Sequence, residues 1–369
     1  VVPQTGQNST PSLSDQVRGI ARGRAEVPLS VLDLAPVGEG QTPGEALAAT
    51  TELARRVEEW GYHRLWVAEH HGMPGVASSS PPVLLAHLAA ATSTIRLGSG
   101  GVMLPNHAPL IVAEQFGTLH ALHPGRIDLG LGRAPGTDPA TASALGRPAG
   151  SAEEFPQHVA DLARFLDDAF PPGHRYAGLR AVPGRSGAPQ EGRPPIWLLG
   201  SSGFSAQLAG LMGLPFAFAH HFAGGGTLEA LELYREAFRP SETLDKPYAM
   251  VSVAAIAADS AQRARWLAGP AALSMMRLRR GQPGRIPTPE QAAQYPYTPA
   301  EQDFIDRWLG NFVLGDGEEV RRGLAALRDR TDADELMITA LIHGPEDRRR
   351  SYELIAQAHG MAGLRSNTP

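Results

Sequence analysis

Two pairs of adjacent histidines are the first places in this sequence where chemistry could sit. One closes the run Trp66-Val67-Ala68-Glu69-His70-His71, and the other is His220-His221. Imidazole titrates near neutral pH, so it serves as acid or base, and it is also a common metal ligand. Adjacency argues against a shared metal. Neighbours on a strand point to opposite faces, so only one ring of each pair can enter a common site while the strand persists. A barrel metal site wants His-x-His instead, and no metal is expected. Each pair therefore offers one inward ring as acid, base or hydrogen-bond donor: His70 or His71 in the first and, in the second, His220 as the candidate beside the substrate. The plainer alternative is a pair of satisfied histidines at a strand end.

Anion chemistry has two further candidates. Arg133 follows Gly130-Leu131-Gly132, and its guanidinium suits a phosphate or carboxylate. The run Leu199-Gly200-Ser201-Ser202-Gly203-Phe204-Ser205 ends a strand and opens a helix at once. Small residues expose backbone N–H groups there, hydroxyls add donors, and a helix N-terminus favours negative charge. This reads as a phosphate cradle, with an ordinary Ser/Gly N-cap as the alternative. It is not a Walker loop, because no Gly-Lys-Ser/Thr follows. No serine stands in a Gly-x-Ser-x-Gly elbow. In Leu97-Gly98-Ser99-Gly100-Gly101-Val102 three glycines weaken a strand. Either something flat lies against that backbone, or the glycines mark a bulge at a barrel corner. Arg277, Arg279, Arg280 and Arg285 form either a cationic patch for an anionic ligand or a solvated face.

These residues need elements to hold them. Short apolar or β-branched runs occur at 28–34, 63–68, 95–102, 126–131, 195–200, 215–219, 248–256 and 335–341. Helical patterns follow at 43–60, 80–92, 108–122, 151–169, 203–212, 226–238, 260–279 and 346–359. Strand alternating with helix predicts parallel βαβ units, and eight of them close a (β/α)8 TIM barrel of the α/β class. An open doubly wound sheet is disfavoured, since no GxGxxG follows the first strand. Active sites of such barrels lie at the carboxyl ends of the strands, where His70, Gly100, Gly101, Arg133, Ser201 and His220 all fall. Residues 28–360 form the barrel domain, between a flexible arm at 1–27 and a tail at 361–369. Residues 172–194 are expected to form an excursion or small hairpin. The long segment 277–300, after the seventh unit, is expected to fold over the mouth as a lid.

Composition narrows the function classes. The chain has 369 residues, and 33 basic minus 38 acidic residues give a net charge of −5. Mild acidity speaks against a sequence-independent nucleic-acid binder. The absence of cysteine removes disulfides, thiolate metal sites and thiol catalysis. No secretory signal and no stretch of ~18 apolar residues are seen, so a cytoplasmic protein is expected. The 41 glycines and 32 prolines exceed ordinary usage and cluster at strand ends. The helices at 80–92 and 108–122 are apolar over more of their circumference than one packed stripe requires, so a homodimer is expected.

The ordered set of motifs resembles the bacterial luciferase-like flavin-dependent monooxygenases. It comprises Trp66–His71, Leu97–His107, Ala113-Glu114-Gln115-Phe116, Pro124–Arg133, Leu199–Gly203 and Asp334–Thr339, and covers residues 28 to about 360 in order. The resemblance implies a (β/α)8 barrel with an insertion after the seventh unit. It implies reduced FMN as cosubstrate, often supplied by a separate NAD(P)H flavin reductase in a two-component system, and oxygenation of a small organic substrate. The family's catalytic histidine falls on His70. Its cis non-proline peptide falls at Gly100–Gly101. Its phosphate contacts fall on Arg133 and on Ser201, Ser202, Gly203 and Phe204, next to Gly200. The luciferases proper carry an acidic residue where Gly200 stands and alanines where Gly100 and Gly101 stand. This chain is thus closer to the broad branch of the family than to the light-emitting enzymes. Two rival readings share the barrel: a deazaflavin-dependent oxidoreductase that transfers hydride, and a non-catalytic flavin-binding protein.

Overall fold

A ring of eight parallel strands surrounds the centre of the molecule. A computed structural model of the chain describes residues 12–18, 27–147, 150–184, 192–222 and 225–361. The strands are β1 (Leu29–Asp33), β2 (Arg64–Val67), β3 (Arg96–Ser99), β4 (Val102–Met103), β5 (Ile127–Gly132), β6 (Ile196–Gly200), β7 (Phe216–Ala219), β8 (Ala249–Ala257), β9 (Val313–Gly315) and β10 (Glu335–Thr339). The helices are α1 (Leu13–Arg18), α2 (Pro43–Glu59), α3 (Pro81–Ala91), α4 (Pro109–Leu122), α5 (Pro139–Ala144), α6 (Phe155–Asp167), α7 (Gly203–Met212), α8 (Thr227–Ala237), α9 (Ala261–Arg279), α10 (Pro289–Gln294), α11 (Pro299–Leu309), α12 (Gly317–Thr331) and α13 (Pro345–Ala358). The order β10-β1-β2-β3-β5-β6-β7-β8 is closed by β8 pairing with β10. The fold is the (β/α)8 barrel that the eight runs predict. The short β4 continues the third barrel strand beyond Gly100–Gly101, whose peptide bond is cis.

Period-two alternation sorts each strand into two faces. Outward residues such as Leu65, Val67, Leu97, Leu129, Val251 and Ile338 pack beneath the helices. Inward residues Leu32, Trp66, Trp197, Met250 and Met337 fill the barrel, with Trp66 and Trp197 edge to face at 5.1 Å. Toward the amino ends of the strands the interior turns ionic. Arg64, fully buried, reaches Asp128 at 2.7 Å and Glu335 at 2.8 Å. Asp128 also takes Arg96 at 2.5 Å and the Trp66 indole N–H at 3.1 Å. Two arginines against two carboxylates keep this buried layer neutral, which is the condition for burying charge at all.

The sequence places residues 12–18 in a flexible arm. Instead they form α1, and Val17 is fully buried at the foot of the barrel. The reason is polar as well as apolar: Arg64 Nη2 donates to the Val17 carbonyl at 2.7 Å. The rest of the expected arm (1–11 and 19–26) and most of the tail (362–369) lie outside the described residues. So do residues 185–191 of the expected hairpin, whose described part at 172–184 consists of turns and irregular chain.

None of the residues of the segment 277–300 lines the central cavity. The segment is fastened to the loop after β1. Ile286 bridges to Gly38, and the Glu39 carboxylate accepts from Arg277 at 3.1 Å and Gln291 at 2.8 Å. Capping boxes at Thr288/Gln291 and Thr298/Glu301 then start α10 and α11. Among the described residues no helix is long and apolar enough to cross a membrane.

Candidate functional site

The carboxyl ends of the strands open on a cavity of about 220 Å³. Strand parity decides what reaches it. On β2, Arg64, Trp66, Ala68 and His70 share the inward side, so His70 lines the cavity. Its neighbour His71 turns away and donates through Nε2 to the Glu69 carboxylate at 2.9 Å. His70 Nδ1 lies 3.2 Å from the Gly136 carbonyl. A carbonyl can only accept, so that nitrogen carries the proton and Nε2 is left as the acceptor. Burial lowers the pKa of His70, against the opposing pull of Gly136 and Glu69. A neutral ring with a free Nε2 lone pair therefore borders the cavity.

Parity also decides the second histidine pair, against the sequence expectation. Ala217 and Ala219 face inward on β7, and His221, two residues on, lines the cavity. His220 instead pairs with the Thr227 hydroxyl at 2.8 Å and does not line it. Burial drives the pKa of His221 down to about 4, helped by His220 and His70 and opposed by the Ser252 carbonyl. The period-two spacing from Ala217 was a signal in the sequence that pointed to His221.

The glycines clear one wall. Gly100, Gly101 and Gly132 border the cavity. A Cβ on Gly100 would stand 2.7 Å from Leu32 Cδ1, and one on Gly101 would stand 2.8 Å from the Gly130 carbonyl oxygen. Backbone rather than side chain thus faces the space here. Much of the remaining lining is apolar, with Leu32, Leu34, Leu199, Phe222 and Met337.

At one end of the cavity Arg133, Gly200, Ser201 and Ser202 come together. The Arg133 guanidinium lies over the Phe204 ring at 4.1 Å and meets no carboxylate among the described residues. Ser202 is the N-cap of α7, with its side chain making no cap hydrogen bond, so the first N–H groups of the helix remain open. Glycine at 200 is required by close approach, since a Cβ there would lie 2.7 Å from Ser205 Cβ. Gly203 begins the helix, and Phe204 acts by carrying Arg133 rather than by lining the space. A stacked cation beside an open helix N-terminus has the chemistry to receive an anion.

Arg277 and Arg280 are not part of this constellation. Arg277 is committed to Glu39, and Arg280 to Glu301 and the Tyr295 hydroxyl. Arg279 stacks on Phe304. Each has a partner on or beside the inserted segment, and none of the three lines the cavity. Among the described residues no three histidine or acidic side chains are grouped to hold a metal ion.

One group escaped the sequence reading altogether. Glu69, 1% exposed, faces outward from β2 and gathers four donors: His71, Met103 N–H at 3.1 Å, Asn106 at 3.4 Å and His107 at 2.8 Å. Burial raises its pKa, but the hydrogen bonds from His107, His71 and Met103 outweigh this and hold it below the usual carboxylate range. Its partners are His71, two residues on, and Met103, Asn106 and His107, where β4 ends and a short 3-10 turn follows, and no strand or helix period announces them.

The family model described as luciferase-like monooxygenase matches residues 27–334. A luciferase-like monooxygenase of Escherichia coli (strain K12) is 48% identical over 329 residues, covering 89% of this chain and 96% of that protein. The crystal structure of apo-MsnO8 superposes with a TM-score of 0.80 at 37% identity, covering 92% of this chain and 99% of the other. At lower identity the fold alone is shared. The oxygenating constituent of 3,6-diketocamphane monooxygenase of Pseudomonas putida, in complex with FMN, reaches a TM-score of 0.66 at 18% identity over 90% of this chain and 97% of that one. An F420-dependent secondary alcohol dehydrogenase reaches 0.63 at 16%, over 91% and 99%. With a matching family model over most of its length and a close relative along nearly all of it, the chain is an oxidoreductase that belongs to the luciferase-like monooxygenase family.

Proposed function

We propose that the protein uses reduced FMN and dioxygen to oxygenate a small organic substrate by hydroxylation, epoxidation or Baeyer–Villiger insertion. One observation carries the reading. One cavity joins an arginine with no carboxylate partner among the described residues and an open helix N-terminus to a neutral imidazole and a bare backbone wall. A phosphate-bearing planar cofactor fits those residues. Arg133, Ser201, Ser202 and the first N–H groups of α7 suit its phosphate, and the Gly100–Gly101 wall suits a flat ring. When bound, the reduced flavin supplies electrons and activates dioxygen.

The chain's own residues do the rest. Arg133, held on Phe204, anchors the anionic end. The apolar walls exclude water from the reacting oxygen. His70 accepts a proton at Nε2, or returns it there, while Gly136 fixes the ring through Nδ1. His221 gives the opposite side one polar, uncharged contact. A separate flavin reductase is the proposed source of reduced FMN, and a homodimer is the proposed assembly.

The test is product formation and oxygen uptake with a flavin reductase, NADPH and candidate substrates. His70→Ala is expected to lower turnover at least 100-fold and leave the Kd for FMN within about twofold. Unchanged turnover would remove His70 from the mechanism. Binding of a deazaflavin cofactor with no affinity for FMN would replace oxygenation with hydride transfer. FMN binding without turnover on any substrate would favour a flavin carrier.

A further inference from the structure

We infer that Glu69 is the positioning residue that keeps the proton-handling, ring-facing and phosphate-facing parts of the cavity in register. The inference rests on the reading of that cavity given above. Three segments with no sequence continuity must be set against one another: the end of β2 with His70, the stretch 101–107 beyond the glycine pair, and the loop 133–137 with Arg133. Glu69 touches the first two directly and the third through one residue.

The carboxylate divides its oxygens between them. Oε2 accepts the Met103 N–H at 3.1 Å, which fixes the backbone just past Gly100–Gly101. Oε1 accepts His71 at 2.9 Å, His107 at 2.8 Å and the Asn106 amide at 3.4 Å. Asn106 carries the connection onward. Its amide also donates to the Pro135 carbonyl at 3.0 Å, and its carbonyl accepts from Arg147 at 3.3 Å. Arg147 in turn donates to the backbone carbonyl of Arg133 at 3.2 Å. His71 is gripped on both sides, by Glu69 through its ring and by Thr137 through its carbonyl at 2.6 Å. The Gly136 carbonyl then receives His70 Nδ1 at 3.2 Å. One buried anion thus fixes the ring that handles protons, the bare wall and the backbone that bears the cation.

The chemistry of the group makes this testable. Every one of the four donors offers N–H, so the hub must be an acceptor at both oxygens. Glutamine has the same shape but only one acceptor oxygen. If that oxygen serves Met103, an amide N–H faces Asn106. If it serves Asn106, an N–H faces the Met103 N–H. Turning Asn106 over to compensate would forfeit Pro135 and Arg147. Histidines 71 and 107 can exchange tautomers, but Met103 and Asn106 have no such freedom.

The experiment uses the full chain as Glu69→Gln, beside His70→Ala and wild type. Hydrogen–deuterium exchange needs no cofactor. Peptides covering 100–107 and 133–147 are expected to exchange at least tenfold faster in Glu69→Gln, while the β8 peptide 249–257 stays protected. In assays, kcat is expected to fall at least tenfold and the FMN Kd to rise severalfold, with the melting temperature lowered by no more than a few degrees. Asn106→Ala should weaken FMN binding in the wild type but add little on top of Glu69→Gln, because both cut the same chain of contacts. Wild-type exchange and turnover in Glu69→Gln would overturn the inference, as would faster exchange spread evenly over the barrel, which marks a merely structural role. If His70→Ala also turns over like wild type, the reading of the cavity fails instead; the exchange data still decide the role of Glu69 in holding the segments.

Discussion

Two rings hold back protons that free imidazoles would take up. Burial lowers His63 to about 4, with Arg64 adding to the effect. Burial likewise lowers His221 to about 4. Free imidazole titrates at ~6.5. Both groups are therefore depressed in the folded state, and their contribution to stability is complete above pH ~6.5. As pH falls from there to about 4, the unfolded chain binds protons that the folded chain refuses, so stability drops, and the loss levels off below that window. The cost is up to ~3 kcal/mol for each ring and smaller for His221, which borders the cavity. Urea midpoints at pH 7 and pH 4.5 measure it. The difference between the two pH values is expected to shrink in His63→Gln/His221→Gln; an equal drop in variant and wild type would assign acid lability to other groups. At this scale legibility followed strand parity. It places His70 inward and His71 outward, and counted from Ala217 it selects His221 over His220. It is silent about Glu69, because a carboxylate on the outward face is defined by partners that only the folded chain brings near.

Elements were legible where a period or a cap announces them, and less so where a segment depends on a distant partner. The barrel strands lie within one or two residues of the runs read from sequence, since inward and outward residues alternate over short, largely apolar runs. The helix α12, with its charged run Gly317-Glu318-Glu319-Val320-Arg321-Arg322, was missed because its apolar stripe is narrow. The helices of the inserted segment were missed although Thr288-Pro289-Glu290-Gln291 and Thr298-Pro299-Ala300-Glu301 are capping boxes that the sequence displays. The helix α1 carries the same kind of cue in Ser12 and Asp15, each accepting the other's backbone N–H, but its place against the barrel is set by Arg64, 47 residues away from Val17 in sequence. That dependence has a consequence. A chain beginning at residue 27 loses the Val17 carbonyl, and one N–H of a buried guanidinium is left unsatisfied. A loss of about 1–3 kcal/mol follows, together with the uncovered apolar foot of the barrel. The truncated chain is expected to melt several degrees lower while binding FMN like the full chain, because the foot lies at the opposite end from the cavity. A melting temperature equal to that of the full chain would show that α1 is an ornament.

At the scale of the whole molecule, one flank of the barrel is less polar than a solvent face needs to be. The helices α3 and α4 are adjacent, and both are apolar around most of their circumference. Their inner faces bury Leu85, Leu88, Val112 and Phe116. Their outer faces leave Val83 71%, Ile111 52% and Leu122 66% exposed. Scattered exposed apolar residues need no explanation, but here three stand on two neighbouring helices that are apolar nearly all round. A second copy of the chain would cover them with a self-complementary contact around a twofold axis. A stable interface buries ~800 Å² on each partner, and each such side chain, already partly buried, adds ~1–2 kcal/mol when its remaining surface is covered. Sedimentation equilibrium is expected to give twice 39.2 kDa for the wild type. Val83→Glu together with Leu122→Glu is expected to shift the mass toward a single chain without lowering the melting temperature of the barrel, since both side chains already face solvent within one copy. Turnover per chain at the carboxyl ends of the strands should survive the separation, because every residue assigned to the cavity belongs to one chain. A wild-type mass of one chain would refute the dimer. Dimers that persist in the doubly charged variant would move the interface to another face.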